Sequence, residues 1–281
     1  MLDKYYFGKV DRISPEAPVP IVNIQKEESR LGGASNVANN IVSLGGHSLL
    51  CGVIGHDLFG KEIERISRHK NIDTFLLKTS SPTITKARII GGKQQIVRVD
   101  YEDKSELNAD NKKLFRDTIS RILPEYDILV ISDYGKGLIS EDLCRYLIKL
   151  AHKYDKKVII DPKGKNWEKY SGADIVTPNV KELSDIVGYT VPNTDRAIEK
   201  AAREAITNNH LTALLVTRSD KGMSLIGPIP PIHIPTHSEE VFDVSGAGDT
   251  VVATLGLCLA AGFEISEAMR LSLIHISDPT R

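Results

Sequence analysis

Short apolar runs recur along this chain, each followed by a stretch with helical spacing, and few architectures accept that alternation. Ser48 to Ile54, Ile128 to Ser132, Val158 to Asp161, Asp174 to Thr177 and Leu214 to Thr217 read as buried strands. Helices follow Gly33, Leu58, Asp110, Ser140, Asn179, Asn193 and Gly246. Strand–helix–strand units of this kind build an α/β fold with a parallel sheet and helices packed on its faces. Two regions break the rhythm. Pro18 to Gln25 and Thr83 to Tyr101 look antiparallel, the second turning at Gly91-Gly92. Gly227-Pro-Ile-Pro-Pro231 reads as a short stiff turn, not a domain boundary.

The 281 residues suffice for one large α/β domain with an appendage, or for two small domains. Hydrophobic residues make up 41% and charged residues 26%, which is ordinary for a globular chain. The net charge of −1, from 36 basic and 37 acidic residues, gives no reason to expect a nucleic-acid or membrane-surface partner. Cys51, Cys144 and Cys258 are odd in number and far apart, which suits a reducing cytoplasm better than a disulfide framework. No apolar run reaches membrane-spanning length, and no signal-peptide pattern opens the chain.

The strongest chemical signal is Asp243-Val-Ser-Gly-Ala-Gly-Asp249-Thr250, followed by an apolar, small-residue run to Gly262. A Gly246-Ala247-Gly248 turn that opens a helix presents unpaired backbone N–H groups at the positive end of its dipole. Such a turn seats an anion, for example a transferring phosphoryl group. Asp249 beside that seat is placed to accept a proton from an incoming hydroxyl, while Asp243 and Ser245 offer oxygen ligands for a cation. An ordinary helix start also places Asp in its first turn. Two glycines there, however, cost helix stability that an ordinary start need not lose.

The other motifs each carry two readings. Leu31-Gly32-Gly33-Ala-Ser-Asn36 allows close backbone approach to a small ligand, with Asn36 bonding sugar hydroxyls, or is a glycine turn before a helix. Gly55 to Glu62 imitates a phosphate-binding loop but ends in Glu where a hydroxyl is required, so it reads as structural. Gly246-Ala-Gly248 lacks the third glycine of a dinucleotide fingerprint. Asp161-Pro-Lys163-Gly164 and Thr177-Pro-Asn179-Val180-Lys181-Glu182 follow strands, at the sheet edge where ligands bind. Lys163 suits phosphate oxygens, and Asn179 with Glu182 suits Mg²⁺ through water, or simply a capping box. Thr217, Ser219 and Gly222 offer hydroxyls and a tight turn to a nucleotide. Lys86 and Arg88 share one strand face, with Arg98 on the neighbouring strand. These cations point to an anionic substrate, or protect a sheet edge. The apolar residues Ile89, Ile96, Val97 and Val99 fit a small sheet that covers a ligand and pairs with a second subunit.

Taken in order, these motifs resemble the ribokinase (PfkB-type) family of sugar kinases. The Gly32-Gly33 and D-V-S-G-A-G-D-T motifs match its two signatures, and Asn179 to Glu182 its N-x-x-E element. Arg12 to Pro20, Pro82 to Lys86, Ile131 to Gly137 and Leu215 to Ser219 look like the subgroup that phosphorylates a heptose 7-phosphate. The resemblance implies a ribokinase-like three-layer fold with a mostly parallel central sheet and a small β-sheet lid. It would form a single domain over residues 1–281, with lid strands at about 18–25 and 83–101. It implies transfer of the ATP γ-phosphate to the anomeric hydroxyl, with Asp249 as base and Gly246, Ala247 and Gly248 as the anion hole. Asn179, Val180, Lys181 and Glu182 would serve ATP and Mg²⁺, Lys163, Thr217, Ser219 and Gly222 the nucleotide, and Gly32, Gly33 and Asn36 the sugar. Lys86, Arg88 and Arg98 would meet the 7-phosphate, and a K⁺ site would lie near Asp243 and Ser245. The chain would act as a homodimer through the lid. Relatives carry a strand and a Gly-Asp before the position of Met1 and a fused nucleotidyltransferase domain, neither of them found here, and residues 273–281 look like an unrelated tail. A kinase for another sugar and a nucleotide-binding fragment without activity are the competing readings.

Overall fold

The computed structural model describes residues 1–236 and 246–277, with side chains as far as 274. The chain divides into two compact units: residues 1–42 with 47–104, and residues 43–46 with 105–281.

The first unit opens with β1 (Leu2–Ile13) and β2 (Pro20–Leu31), followed by α1 (Ala34–Ser43), β3 (Leu49–Gly55), α2 (Leu58–His69), β4 (Asp73–Thr79), β5 (Thr85–Gly91) and β6 (Gln94–Tyr101). One sheet has the order β2-β1-β5-β6, with β1 and β5 parallel and the outer pairs antiparallel. This is the small sheet expected from the sequence, but larger. The expected strand at 18–25 covers only half of β2, and β1 was not foreseen. The cause is that β1 is half-buried or exposed along most of its length, so Lys4, Tyr5, Tyr6 and Phe7 show no clean apolar alternation. A separate parallel pair, β3 with β4, is joined through α2. Leu2, Leu31, Ala38, Leu50, Ile54, Ile63 and Ile72 form the core of the unit.

The segment that imitates a phosphate loop is a helix cap. Asp57 accepts from Gly60 N at 2.8 Å, and from the backbone N and Oγ1 of Thr83, both at 2.7 Å. Its carboxylate thereby fastens the start of α2 to the chain entering β5.

The second unit contains α3 (Ala109–Ile122), β7 (Ile128–Ser132), α4 (Glu141–Lys153), β8 (Lys157–Asp161), β9 (Ile175–Val176), α5 (Val180–Val187), α6 (Asp195–Asn209), β10 (Ala213–Thr217), β11 (Met223–Ile226), β12 (Ile232–Ile234), α7 (Ala247–Ala260) and α8 (Ile265–Ser277). Its sheet has the order β12-β11-β10-β9-β8-β7, parallel from β7 to β10 and antiparallel beyond. Val158, Ile159 and Ile160 are consecutive on β8 and all fully buried. A strand points successive side chains to opposite faces, so both faces of this sheet are covered, as a three-layer parallel fold requires.

Helix α7 lies against β7 and β8. Gly256 permits the close approach, since a Cβ there would sit 3.3 Å from a Val130 methyl group. The helix is apolar around most of its circumference, with Val251, Val252, Ala253, Leu255 and Cys258 buried, so it is a core element and not a surface amphipath. Residues 273–277, expected to be part of an unrelated tail, continue α8; residues 278–281 lie outside the described part. No helix among the described residues is long and apolar enough to cross a membrane.

Candidate active site

Because β7 to β10 run parallel, their carboxyl ends deliver Ser132, Asp161, Val176 and Thr217 to one edge of the sheet. The loops that follow carry most of the chemistry-bearing side chains of this unit. A bridge between Asn179 and Thr217 ties two of these loops together.

Gly246 caps α7 in the left-handed region at φ 89°, a conformation that favours glycine. Ala247, Gly248 and Asp249 form the first helical turn, so their N–H groups lie at the helix start, where an anion is favoured. Among the described residues, a Cβ on Gly248 would meet no atom within 4 Å. No clash among them therefore requires glycine at this position. Asp249 is only 7% exposed, and Tyr134 donates its phenolic O–H to Asp249 Oδ1 at 3.0 Å. Asp243 and Ser245 lie outside the described residues.

Asp161, whose motif was noted for Lys163 alone, belongs to the same cluster. Burial raises its carboxyl pKa to about 8, with the neighbouring charges of Asp249, Glu182 and Asp133 adding to the rise and Lys163 opposing it. The crowding of acidic groups is the observation that fits a divalent cation here, because a positive charge would relieve it. Among the described residues no three His, Cys, Asp or Glu converge as a metal cage. Mg²⁺ needs none, as it is usually held by one or two carboxylates with water and substrate phosphate. Asp161 and Glu182 fit that manner of binding.

Both readings of the Asn179 motif meet in its geometry. Asn179 Oδ1 accepts from Glu182 N at 2.8 Å, and Glu182 Oε2 accepts from Asn179 N at 3.2 Å, completing a capping box at the start of α5. Val180 and Lys181 form the first turn of that helix. Glu182 Oε1 faces Lys163 Nζ at 3.0 Å, so the lysine expected at phosphate already shares this edge with the acidic residue. Thr217 ends β10; Ser219 holds a left-handed φ of 54°, uncommon outside glycine. A Cβ on Gly222 would fall 2.0 Å from Ile234 O, so the turn excludes any side chain. Beneath this turn Arg218, 3% exposed, donates to Asn193 Oδ1, Asp195 Oδ1 and Ser224 Oγ at 2.9, 2.6 and 2.9 Å.

In the first unit, register places Lys86 and Arg88 of β5, Arg98 of β6, and Asp3 and Tyr5 of β1 on one sheet face. Arg88 donates to Asp3 Oδ1 at 2.5 Å and lies over the Tyr5 ring. Arg98 grips Asp100 through two hydrogen bonds, at 2.8 and 3.0 Å. Burial lowers the pKa of Lys86, with Asp3 opposing that shift. Asp3 is the residue that sequence reasoning passed over. A Cβ on Gly32 would lie 2.2 Å from Asp3 Oδ2, so the bare Gly32 makes room for this carboxylate. Gly33 turns at φ 57° into α1, whose Asn36 N donates to Gly33 O at 2.7 Å. A single acidic residue among aromatics gives little sequence signal; the pairing with Gly32 appears only in three dimensions.

With this geometry in hand, the comparisons place the chain. Residues 5–273 match the pfkB family carbohydrate kinases, and the chain belongs to that family. It is 44% identical over 274 residues to the bifunctional protein HldE of Haemophilus influenzae, covering 97% of this chain and 56% of that protein. The chain thus spans little more than half the length of that relative. It is 43% identical over 271 residues to the D-beta-D-heptose 7-phosphate kinase of Bordetella bronchiseptica, covering 96% of this chain and 85% of the other. The fold is also that of Escherichia coli phosphofructokinase-2 solved in complex with potassium, at a TM-score of 0.81 and 22% identity over 98% of this chain and 88% of that one. Arabidopsis thaliana ribokinase complexed with ribose and ATP gives a TM-score of 0.75 at 20% identity, over 98% and 88% of the two chains.

Proposed function

We propose that the chain transfers the γ-phosphate of ATP to the anomeric hydroxyl of D-glycero-β-D-manno-heptose 7-phosphate, in the supply of ADP-heptose for lipopolysaccharide. The observation that carries the chemistry is Asp249, buried beside the Gly246–Gly248 turn at the start of α7. The base and the anion seat belong to one helical turn. The heptose assignment is supported by the name of the Bordetella bronchiseptica relative and by the cationic sheet face.

On this reading Asp249 takes the proton of the attacking hydroxyl as the new P–O bond forms and the bond to ADP breaks. The N–H groups of Ala247, Gly248 and Asp249 hold the oxygens of the transferring group. Lys163 neutralises phosphate charge, and Thr217, Ser219 and Gly222 form the nucleotide turn. Asn179, Val180, Lys181, Glu182 and Asp161 serve the Mg²⁺ side of ATP, and the cation supplies charge neutralisation between the phosphates when bound. A monovalent cation, K⁺, would be held near Asp243 and Ser245. Asp3, Gly32, Gly33 and Asn36 serve the sugar hydroxyls, and Lys86, Arg88 and Arg98 the 7-phosphate.

An ADP-release assay tests this reading. Turnover is expected with the heptose 7-phosphate and much less with the free heptose or with ribose. Arg88→Ala should raise the KM for the sugar phosphate about tenfold, leave the KM for ATP nearly unchanged and narrow the preference for phosphorylated over free sugar. Equal turnover of free and phosphorylated sugar would remove the assignment.

We further propose a homodimer through the opposite face of the four-stranded sheet, where Val97, Val99 and Tyr101 are 44%, 40% and 46% exposed. Sedimentation velocity should give a dimer that Val97→Lys with Val99→Lys converts to a monomer. A wild-type monomer at micromolar concentration would refute it.

A further inference from the structure

Tyr134 sits in the loop after β7, and its hydroxyl reaches Asp249 on α7, 115 residues away in sequence. We propose that Tyr134 is a positioning residue for phosphoryl transfer, which fixes the Asp249 carboxylate in the orientation in which it accepts the proton of the incoming hydroxyl. The proposal rests on the reading of Asp249 as the base.

A carboxylate at the start of a helix is not fixed by the backbone alone, because the terminal torsion of Asp has a broad preference. A donor on one oxygen removes that freedom. For the donor to help, it must itself be held, and the structure holds it unusually well. The preceding residue, Asp133, is 3% exposed. Its carboxylate accepts from Gly135 N at 2.7 Å, Tyr170 Oη at 2.7 Å and Lys169 Nζ at 2.5 Å. Its backbone N donates to Asp161 O at 3.0 Å, which fastens the loop to the end of β8. Gly135 and Gly137, at φ 63° and 91°, turn the chain immediately beyond Tyr134. The phenol is therefore delivered from a backbone anchored on both sides, and little motion remains to be lost when substrate binds.

The step itself moves one proton, from the sugar hydroxyl to the Asp249 carboxylate. Tyr134 keeps its own proton throughout, so its contribution is geometry and orientation. That separates it from a substrate-binding group, whose loss would raise a KM.

The experiment is Tyr134→Phe, which removes only the hydroxyl, measured alone and together with Asp249→Asn. Expected is a fall in kcat of about tenfold, with the KM for sugar phosphate and for ATP each within about twofold and the melting temperature nearly unchanged. In the Asp249→Asn background, Tyr134→Phe should cost nothing more, because no base remains to be oriented. An equal loss in both backgrounds, a raised KM at unchanged kcat, or a fall in melting temperature in step with kcat would each overturn the positioning role. Near-normal turnover by Asp249→Asn itself would instead sink the base reading on which it rests.

Discussion

Asp249→Asn is expected to lower kcat by about 10²- to 10⁴-fold with little change in ATP affinity. The argument depends on how little else the substitution changes. Asparagine keeps the shape, and its Oδ1 still accepts from Tyr134, which now donates to Asp249 at 3.0 Å. The backbone N–H groups at the start of α7 are untouched, so the anion seat and the nucleotide contacts survive. What disappears is the proton acceptor. Stability should not fall, because Asp249 is one of the acidic neighbours that raise the pKa of buried Asp161, and removing its charge relieves the crowding. The decisive combination is thus a folded protein of equal or higher melting temperature that binds Mg·ATP and turns over slowly. Turnover within a fewfold of wild type would show that the hydroxyl loses its proton by another route.

How far the sequence revealed this site follows from where each signal lies. The second unit was largely legible. Its strands β8 and β10 are buried on both faces and β7 is half-buried but apolar, so all three appear as unbroken apolar runs in which each boundary falls within one residue of that read from the sequence. Helix starts were equally clear, because Asn179, Gly246 and Ser140 each announce a cap. The short antiparallel strands β11 and β12 were missed, as four and three residues are too few to show a period. In the first unit, β1 was missed because its charged and aromatic residues come in runs, Asp3-Lys4 and Tyr5-Tyr6-Phe7, on a half-exposed strand and show no period of two.

The site divides along the same physical line. Residues that act through the backbone at a helix start, such as Gly246 and Gly248, can be named from a linear motif. Residues that act through a side chain meeting another far along the chain cannot. Asp3 meets Arg88, Tyr134 meets Asp249, and Asp161 feels Asp249 and Glu182; no local pattern encodes any of these pairs. Asp161 left one trace, a single acidic residue closing the apolar run Val158-Ile159-Ile160, and that placement at a strand's carboxyl end was its only signal.

The largest loss of stability is expected from Asp133→Ala. Asp133 is 2% exposed through its side chain and Lys169 is 13% exposed, so the pair is effectively withdrawn from water. Removing the carboxylate leaves a desolvated ammonium without a counter-charge, and takes the acceptor from Tyr170 Oη and Gly135 N. Breaking a buried pair from one side costs about 3–5 kcal/mol. For a unit of this size that corresponds to a fall in melting temperature of the order of 10 °C. The cost lies in the orphaned charge more than in the lost attraction. Lys169→Met added to Asp133→Ala should therefore recover part of the loss, although it removes a second member of the network. Asp133→Asn should fall between wild type and Asp133→Ala, because it retains an acceptor for the Gly135 N–H and the Tyr170 hydroxyl but not the countercharge. The same loop carries Tyr134, so Asp133→Ala should also lower kcat at temperatures where the protein remains folded. If the double variant melts lower than Asp133→Ala alone, the buried ammonium is not the source of the instability, and the network contributes through its hydrogen bonds instead.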